Sequence, residues 1–389
     1  MTSPDPAASG PAGPARSAGA GGAVPERIAV LGTGMVGTSV ALAAGSAGMP
    51  VRGWDLAPEV LRRAAAMSPL APAGSPEEAV GEARVVFVCV PLDRIAELAA
   101  RALGAARDAT VTDVGSVKDS VCRAVSAAAA GEPGAVGRFV GGHPMAGSER
   151  SGPEAAAATL LDGTTWVLTP GRDTDADALE AVRSCVAAFG ARPVLMDPAA
   201  HDRAVALVSH LPQVVSSALM AFAAGEWASE EGVDALALAA GGFRDLTRLA
   251  GSSPELWEGI LRANAPAVRD ELDRFIVALQ RVRGVLDSGD GPELADMLER
   301  AREARRGLAT KPQVRSGVVV LHVPIPDRPG ALARLTGAMA ERAVNIEDLQ
   351  IVHAADGGRG NAHVTVAADQ GEDALAVLRE AGFAPVPLS

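Results

Sequence analysis

The sequence predicts an α/β doubly wound parallel sheet, followed by an all-helical segment and a small βαββαβ unit. Three observations carry that reading. Between Arg27 and about Leu168, short apolar strands alternate with helical patterns, the order that builds a parallel sheet with helices on both faces. From about Pro198 to about Gly307 strand signals stop and apolar residues recur at helical spacing,. From Ser316 to Ser389 the order becomes strand, helix, strand, strand, helix, strand, a common small-domain size.

Residues 1–24 are mostly Ala, Gly, Pro and Ser. They read as a disordered tail, and they lack the apolar core behind a basic start that marks a signal peptide. Order begins at Arg27-Ile28-Ala29-Val30-Leu31, a strand running into Gly32-Thr33-Gly34-Met35-Val36-Gly37 and an Ala-rich helix ending near Gly48. The next strand, Val51 to Trp54, ends at Asp55. Buried-strand runs follow at Val85–Val90, Thr110–Thr112, Phe139–Val140 and Thr165–Leu168. The expected domains are 25–198 for a Rossmann-like nucleotide-binding domain, 199–307 for a helical substrate and dimerisation domain, and 316–389 for the last unit. In the helical segment, Val208, Leu211, Val214 and Leu219, then Leu272, Phe275, Leu279 and Val282, mark apolar faces. Faces this large often bury themselves against a second copy, so a homodimer is expected. In the last unit the expected elements are strands Val318–Val323, Ile346–Val352 and Ala362–Val366 with helices Ala331–Ala343 and Glu372–Glu380.

At 389 residues the chain has room for two or three domains, and with 48% hydrophobic residues it can fill their cores,. The net charge of −12 argues against nucleic acid and anionic membrane surfaces as partners. Cys89, Cys122 and Cys185 are far apart, which is neither a disulfide framework nor a zinc pattern and fits a reducing, cytoplasmic setting. No apolar run reaches the length of a membrane span. The histidines of the last unit, His322, His353 and His363, read as ordinary strand and turn residues, and no metal site is expected.

Gly32-Thr33-Gly34-Met35-Val36-Gly37 has the spacing for a dinucleotide pyrophosphate. The first glycine makes the tight turn, the second admits the phosphates, and the third lets helix pack on strand. The helix start then offers N–H groups and a positive dipole end to the anion. Asp55 stands where a carboxylate accepts from a ribose 2′-hydroxyl and repels a 2′-phosphate, which favours NAD. The plainer alternative is that Asp55 starts a turn before Pro58. Arg52 reads as a solvated edge charge.

Asp113-Val114-Gly115-Ser116-Val117-Lys118 lies at the C-terminal end of a strand, where ligands collect in open parallel sheets. Ser116 can hold a substrate polar group, and Asp113 and Ser116 can also cap the next helix. Gly141-Gly142-His143-Pro144-Met145-Ala146-Gly147-Ser148-Glu149 places an imidazole in what reads as a loop too glycine-rich to pack. His143 is the candidate acceptor for a substrate hydroxyl proton; the alternative is a histidine bonded to backbone. His201 and His210 fall in the helical segment. His210 sits in Ser209-His210-Leu211-Pro212-Gln213, where the proline is expected to break the helical ladder, and a satisfied core histidine is the competing reading. Gly241-Gly242-Phe243-Arg244-Asp245-Leu246-Thr247-Arg248 removes two side chains ahead of two arginines, the residue type that grips a carboxylate through paired bonds. Arg248 is the candidate ligand, against surface pairing with Asp245 or Glu255. Trp257 either walls the same pocket or packs in the core.

Together these motifs resemble the prephenate/arogenate dehydrogenases of tyrosine biosynthesis, over about Arg27 to Gly307. The last unit resembles an ACT domain, an amino-acid-binding regulatory fold, at Pro326-Asp327-Arg328-Pro329-Gly330-Ala331-Leu332 and Asn345-Ile346. The resemblance implies NAD-dependent oxidative decarboxylation of prephenate to 4-hydroxyphenylpyruvate, with arogenate as the alternative substrate. His143 would take the 4-hydroxyl proton and Ser116 would orient the hydroxyl and the imidazole. Arg248 would grip a carboxylate, with His210, Gln213, Gly242 and Trp257 around the substrate, Trp257 coming from a partner subunit in one version. Where many relatives carry a second histidine, this chain has Gln213, which suits either side chain, with prephenate the expected one. Asp327, Gly330, Ala331, Leu332, Asn345 and Ile346 would form the effector site, with tyrosine the expected effector. Two rivals stand against this. A β-hydroxyacid-type dehydrogenase would use a helical lysine base, yet no lysine lies between Lys118 and Lys311. A non-catalytic NAD and amino-acid sensor would not need His143, Ser116 and Arg248 together.

Overall fold

The computed structural model describes residues 27–146, 151–225, 235–307, 317–326, 328–353 and 359–388. The expected tail at 1–24 lies outside them. The first layer order is β1 Ile28–Leu31, α1 Met35–Ser46, β2 Val51–Trp54, α2 Pro58–Met67, β3 Leu70–Pro72, α3 Pro76–Val80, β4 Val85–Val88, α4 Leu92–Ala105, β5 Thr110–Asp113, α5 Asp119–Ala128, β6 Phe139–Pro144, β7 Thr165–Thr169, α6 Ala176–Ala188 and β8 Arg192–Leu195. They form one sheet in the order β3-β2-β1-β4-β5-β6-β7-β8. Because side chains alternate across a strand, Ile28 and Val30 join Val85 and Phe87 in one core, while Ala29 and Leu31 join Val86 and Val88 in the other. A strand buried on both faces reads as a continuous apolar run, which is how β1 and β4 announce themselves.

One part of the parallel-sheet expectation needs correcting. β6 and β7 run antiparallel, with His143 opposite Val167. Between Pro144 and Thr165 the described chain forms only short turns at Pro153–Ala155 and Ala158–Leu160, so no helix carries it back across the sheet for a parallel return.

The helical segment comprises α7 Pro198–Val205, a π-helical turn Ala206–His210, α8 Leu211–Ala223, α9 Gly241–Thr247, α10 Pro254–Ala263, α11 Ala265–Ser288 and α12 Gly291–Gly307. Pro212 does not end the helix. The ladder widens to π geometry in the turn before it, which accommodates the missing N–H and the ring. The stretch Pro198–Ala223 is long and apolar enough to cross a bilayer by length and composition, contrary to the sequence expectation. Its His201, Asp202 and His210 are nevertheless buried and hydrogen-bonded within the protein, as in a helix packed in a core.

The last unit is β9 Val318–Pro326, α13 Ala331–Glu341, β10 Asp348–His353, β11 Arg359–Ala367, α14 Gly371–Glu380 and β12 Val386–Leu388. Its sheet, in the order β10-β11-β9-β12, is antiparallel throughout. Leu321, Val323, Val364 and Val366 from one face bury against Leu335, Met339, Val377 and Leu378 of the two helices. By contacts, the chain through Leu211 together with Ser252–Glu271 makes one compact unit, and Pro212–Gly251 with the residues from Leu272 makes a second.

Candidate active site

The glycine turn has the shape a dinucleotide needs. Gly32 has φ +93, and a Cβ there would lie 2.3 Å from the Cys89 carbonyl oxygen. A Cβ at Gly37 would lie 1.9 Å from the Gly32 oxygen. At Gly34 it would meet nothing within 4 Å, leaving open space at the start of α1, which no side chain caps. That is the room an approaching pyrophosphate takes. Asp55 Oδ2 accepts from the Thr33 amide (2.7 Å) and hydroxyl (3.1 Å), and Oδ1 from the Ala57 amide (2.9 Å). Among the described residues three of its roughly four acceptor sites are filled,, so the turn-forming role is real and does not exclude a bond from a ribose hydroxyl. Arg52 pairs with Glu78 at 2.7 Å. Met35 and Val36 open α1 and are partly exposed.

His143 lies in β6, not in a loop, which corrects the sequence reading. The glycines before it are there because the strand is crowded. A Cβ at Gly141 would fall 2.3 Å from Thr169 Oγ1, and one at Gly142 would fall 2.5 Å from the Asp113 carbonyl oxygen. The Gly147-Ser148-Glu149 end of the motif lies outside the described residues. Gly142 is held at both ends by a fully buried ion pair. Lys118 Nζ, bonded to Asp113 Oδ2, also donates to the Gly142 oxygen at 2.7 Å. Asp113 accepts from the Gly142 amide at 3.0 Å and the Gly115 amide at 2.8 Å. The β5–β6 ladder thus continues through side chains past its last backbone pair and fixes the strand that carries the imidazole.

His143 Nδ1 is 2.8 Å from His201 Nε2, and His201 Nδ1 is 2.8 Å from Asp202 Oδ1. A carboxylate only accepts, so His201 donates from Nδ1 and accepts at Nε2, and His143 donates from Nδ1. The lone pair of His143 is left on Nε2. Burial holds His143 well below its ordinary 6.5, helped by the Lys118 ammonium and by His201 and His210, so the ring is neutral near pH 7. Asp202 also accepts from the amides of Lys118 (2.8 Å) and Asp119 (2.9 Å). It therefore caps α5, the task expected of Asp113 or Ser116. Ser116 is partly exposed in the bend between β5 and α5.

His210 is buried, and its Nδ1 accepts from Asn264 Nδ2 at 3.1 Å; the same amide donates to the Asp202 carbonyl at 2.8 Å. Burial lowers His210 to about 4 against an upward pull from Asp202. Trp257, half-buried on α10, meets His210 edge-on with ring centroids 6.0 Å apart, a contact within one chain. His201, Asp202 and Asn264 were not singled out from the sequence as site residues. The adjacent His-Asp pair opening a helix was the available signal; Asn264 gave none.

In the second unit, Gln213 is buried and Nε2 donates to the Leu249 carbonyl at 2.8 Å, while the Ala250 amide donates to Ser216 Oγ at 3.1 Å. These two bonds stitch α8 to the 3-10 turn Arg248–Gly251. Arg248 is exposed at the start of that turn. A Cβ at Gly242 would meet nothing within 4 Å. In the last unit Gly330 adopts φ +87 ahead of α13, a conformation that suits glycine. Ala331 is buried, Leu332 and Ile346 pack on the core, and Asn345 is exposed. Asp327 lies outside the described residues.

A nucleotide cradle and a tautomer-fixed imidazole carried by one doubly wound sheet mark a nucleotide-dependent dehydrogenase. The comparisons agree. Residues 40–195 match the family model for the prephenate dehydrogenase nucleotide-binding domain, 197–300 that for the prephenate dehydrogenase dimerization domain, and 319–383 the ACT domain. The chain is 31% identical to a prephenate dehydrogenase of Bacillus subtilis, over 88% of this chain and 93% of that one. It is 34% identical to a cyclohexadienyl dehydrogenase of Zymomonas mobilis, over 75% and 98%. Among solved structures it resembles the arogenate dehydrogenase of Synechocystis (TM-score 0.64, 31% identity, 73% of this chain and 100% of that one). It also resembles the prephenate dehydrogenase of A. aeolicus in complex with hydroxyphenyl propionate and NAD+ (TM-score 0.67, 29% identity, 73% and 98%). The chain belongs to the prephenate dehydrogenase family.

Proposed function

We propose that the protein catalyses NAD-dependent oxidative decarboxylation of a 4-hydroxycyclohexadiene carboxylate, the ring shared by prephenate and arogenate, in tyrosine biosynthesis. The observation that carries this reading is the chain of hydrogen bonds from Asp202 through His201 to His143, which leaves a neutral acceptor nitrogen on His143. His143 Nε2 takes the proton of the 4-hydroxyl as C4 becomes a carbonyl and loses its hydride. The bond from C1 to its carboxylate breaks, CO2 leaves, and the electron pair completes the aromatic ring. NAD+, when bound at the Gly32–Gly37 turn with Asp55 on its ribose, supplies the hydride acceptor. As His143 gains charge, His201 and the Asp202 carboxylate stabilise the imidazolium, the logic of an acid–base triad. Ser116 orients the hydroxyl and Arg248 holds a carboxylate, with His210, Gln213, Gly242 and Trp257 lining the substrate.

The domains divide at 25–198, 199–307 and 316–389, the helical faces pair in a homodimer, and tyrosine at the ACT unit slows the enzyme in the cytoplasm. Feedback rests on the Gly330 turn, where the absent side chain lets a zwitterion approach the backbone,. The test of the reaction is stoichiometry. Incubated with NAD+ and either substrate, the enzyme is expected to release one CO2 for each NADH. NADH without CO2, or no NADH from either substrate, would overturn the reading.

A further inference from the structure

A buried cation sits one peptide away from the base of the proposed reaction. Lys118 is fully buried, and its ammonium is bonded to Asp113 Oδ2 and donates to the Gly142 carbonyl oxygen at 2.7 Å. That carbonyl belongs to the peptide leading into His143. Asp113 closes the clamp by accepting from the Gly142 amide at 3.0 Å. The sequence carries its positive charge almost entirely on arginine, with lysine only at 118 and 311. A compact ammonium can meet a carboxylate and a carbonyl at once, whereas the flat fork of an arginine is matched to a carboxylate alone.

The clamp brings a hazard with it. A carboxylate near a buried imidazole favours the protonated ring, and Asp113 is bonded to the residue next to His143. Left uncompensated, it would draw a proton onto the ring and remove the lone pair on Nε2. Asp202, behind His201, pulls in the same direction. Burial opposes charge on the ring most, and Lys118 stands first among the groups that add to it, ahead of His201 and His210. Of these groups Lys118 is the one with a fixed positive charge.

We infer, on the reading that His143 is the base, that Lys118 is a positioning residue for the reaction: its ammonium holds the His143 strand in place through Gly142 and, by offsetting Asp113, keeps the resting imidazole free of a proton. Asp202 acts at the later moment, through His201, once the ring has taken the substrate's proton. The two ionic groups thus serve two states of one imidazole.

The test is the pH dependence of kcat/KM for prephenate and for arogenate at saturating NAD+, which reports the protonation of the base before substrate binds. The full-length enzyme is compared with Lys118→Gln and with the double variant Asp113→Asn, Lys118→Gln. The acid limb of the native enzyme is expected below 6.5, the ordinary value of histidine. Lys118→Gln leaves the Asp113 carboxylate uncompensated, and its limb is expected to move up by about one pH unit or more. The double variant keeps an amide to donate to the Gly142 carbonyl and an oxygen to accept from its amide, without either charge. Its limb is expected above the native one and below that of Lys118→Gln. A limb unmoved in Lys118→Gln, or in the double variant if only that one folds, with activity lowered equally at every pH, would overturn the inference and leave Lys118 a purely structural part. An acid limb that persists in His143→Asn would instead remove His143 as the base, and this inference with it.

Discussion

The proton on His143 is placed by two other side chains, His201 and Asp202, and neighbouring residues are set in the same way. His210 shows what burial does to an imidazole in this cluster. Its ordinary value is 6.5 and the fold lowers it to about 4. On acidification the unfolded chain therefore takes up a proton first, so the stabilisation is complete above about pH 6.5 and is lost as the pH falls to about 4. The full effect is about 3 kcal/mol. Urea midpoints measured across that range should decline more steeply for the native protein than for His210→Gln; parallel curves would contradict the assignment. Arg248 differs in kind. In the proposed reaction a carboxylate gripped by Arg248 would be held in the ground state as well as in the transition state, and uniform binding lowers KM without raising kcat. Arg248→Ala is expected to raise KM by an amount worth about 2–3 kcal/mol with kcat little changed. Steady-state kinetics that show kcat collapsing at constant KM would refute it.

Among the elements, β6 carries the most consequence. Its His143 end is held to β5 by Asp113 and Lys118, both wholly buried. Removing one member of such a pair strands the other charge, so Lys118→Met is expected to cost about 3–5 kcal/mol in denaturant unfolding; a loss below 1 kcal/mol would show that Asp113 finds another partner. This element also marks the limit of what the sequence disclosed. Gly141 and Gly142 read as loop glycines because their contacts, Thr169, Cys122 and Asp113, come from other strands and helices. Similarly, α5 is capped by Asp202, more than eighty residues away in the chain, so the local candidates Asp113 and Ser116 were the natural and mistaken choice. The glycine turn was legible because strand, turn and helix follow one another within Ile28–Ser46, even though Cys89 and Asp55 from later strands close around it. The strands of the last unit were legible for the related reason that Leu321, Val323, Val364 and Val366 alternate with less buried residues.

For the whole molecule, the sequence disclosed the order of its parts and the chemistry of its motifs, while the relay within the site emerged only when β6, α7 and α10 were brought together. His201 and Asp202 gain meaning from His143 nearly sixty residues earlier, and Asn264 gains it from joining Asp202 to His210. Regulation belongs at this scale as well. Deleting the chain from Ser316 is expected to abolish inhibition by tyrosine while leaving NADH production; inhibition that persists in the truncated enzyme would place the feedback site elsewhere. The central claim is that His143 Nε2 accepts the hydroxyl proton, and the most direct measurement of it is kcat for His143→Asn at saturating NAD+ and substrate. The account predicts a loss on the order of a hundredfold or more, with NAD+ binding retained. Turnover near that of the native enzyme would contradict it.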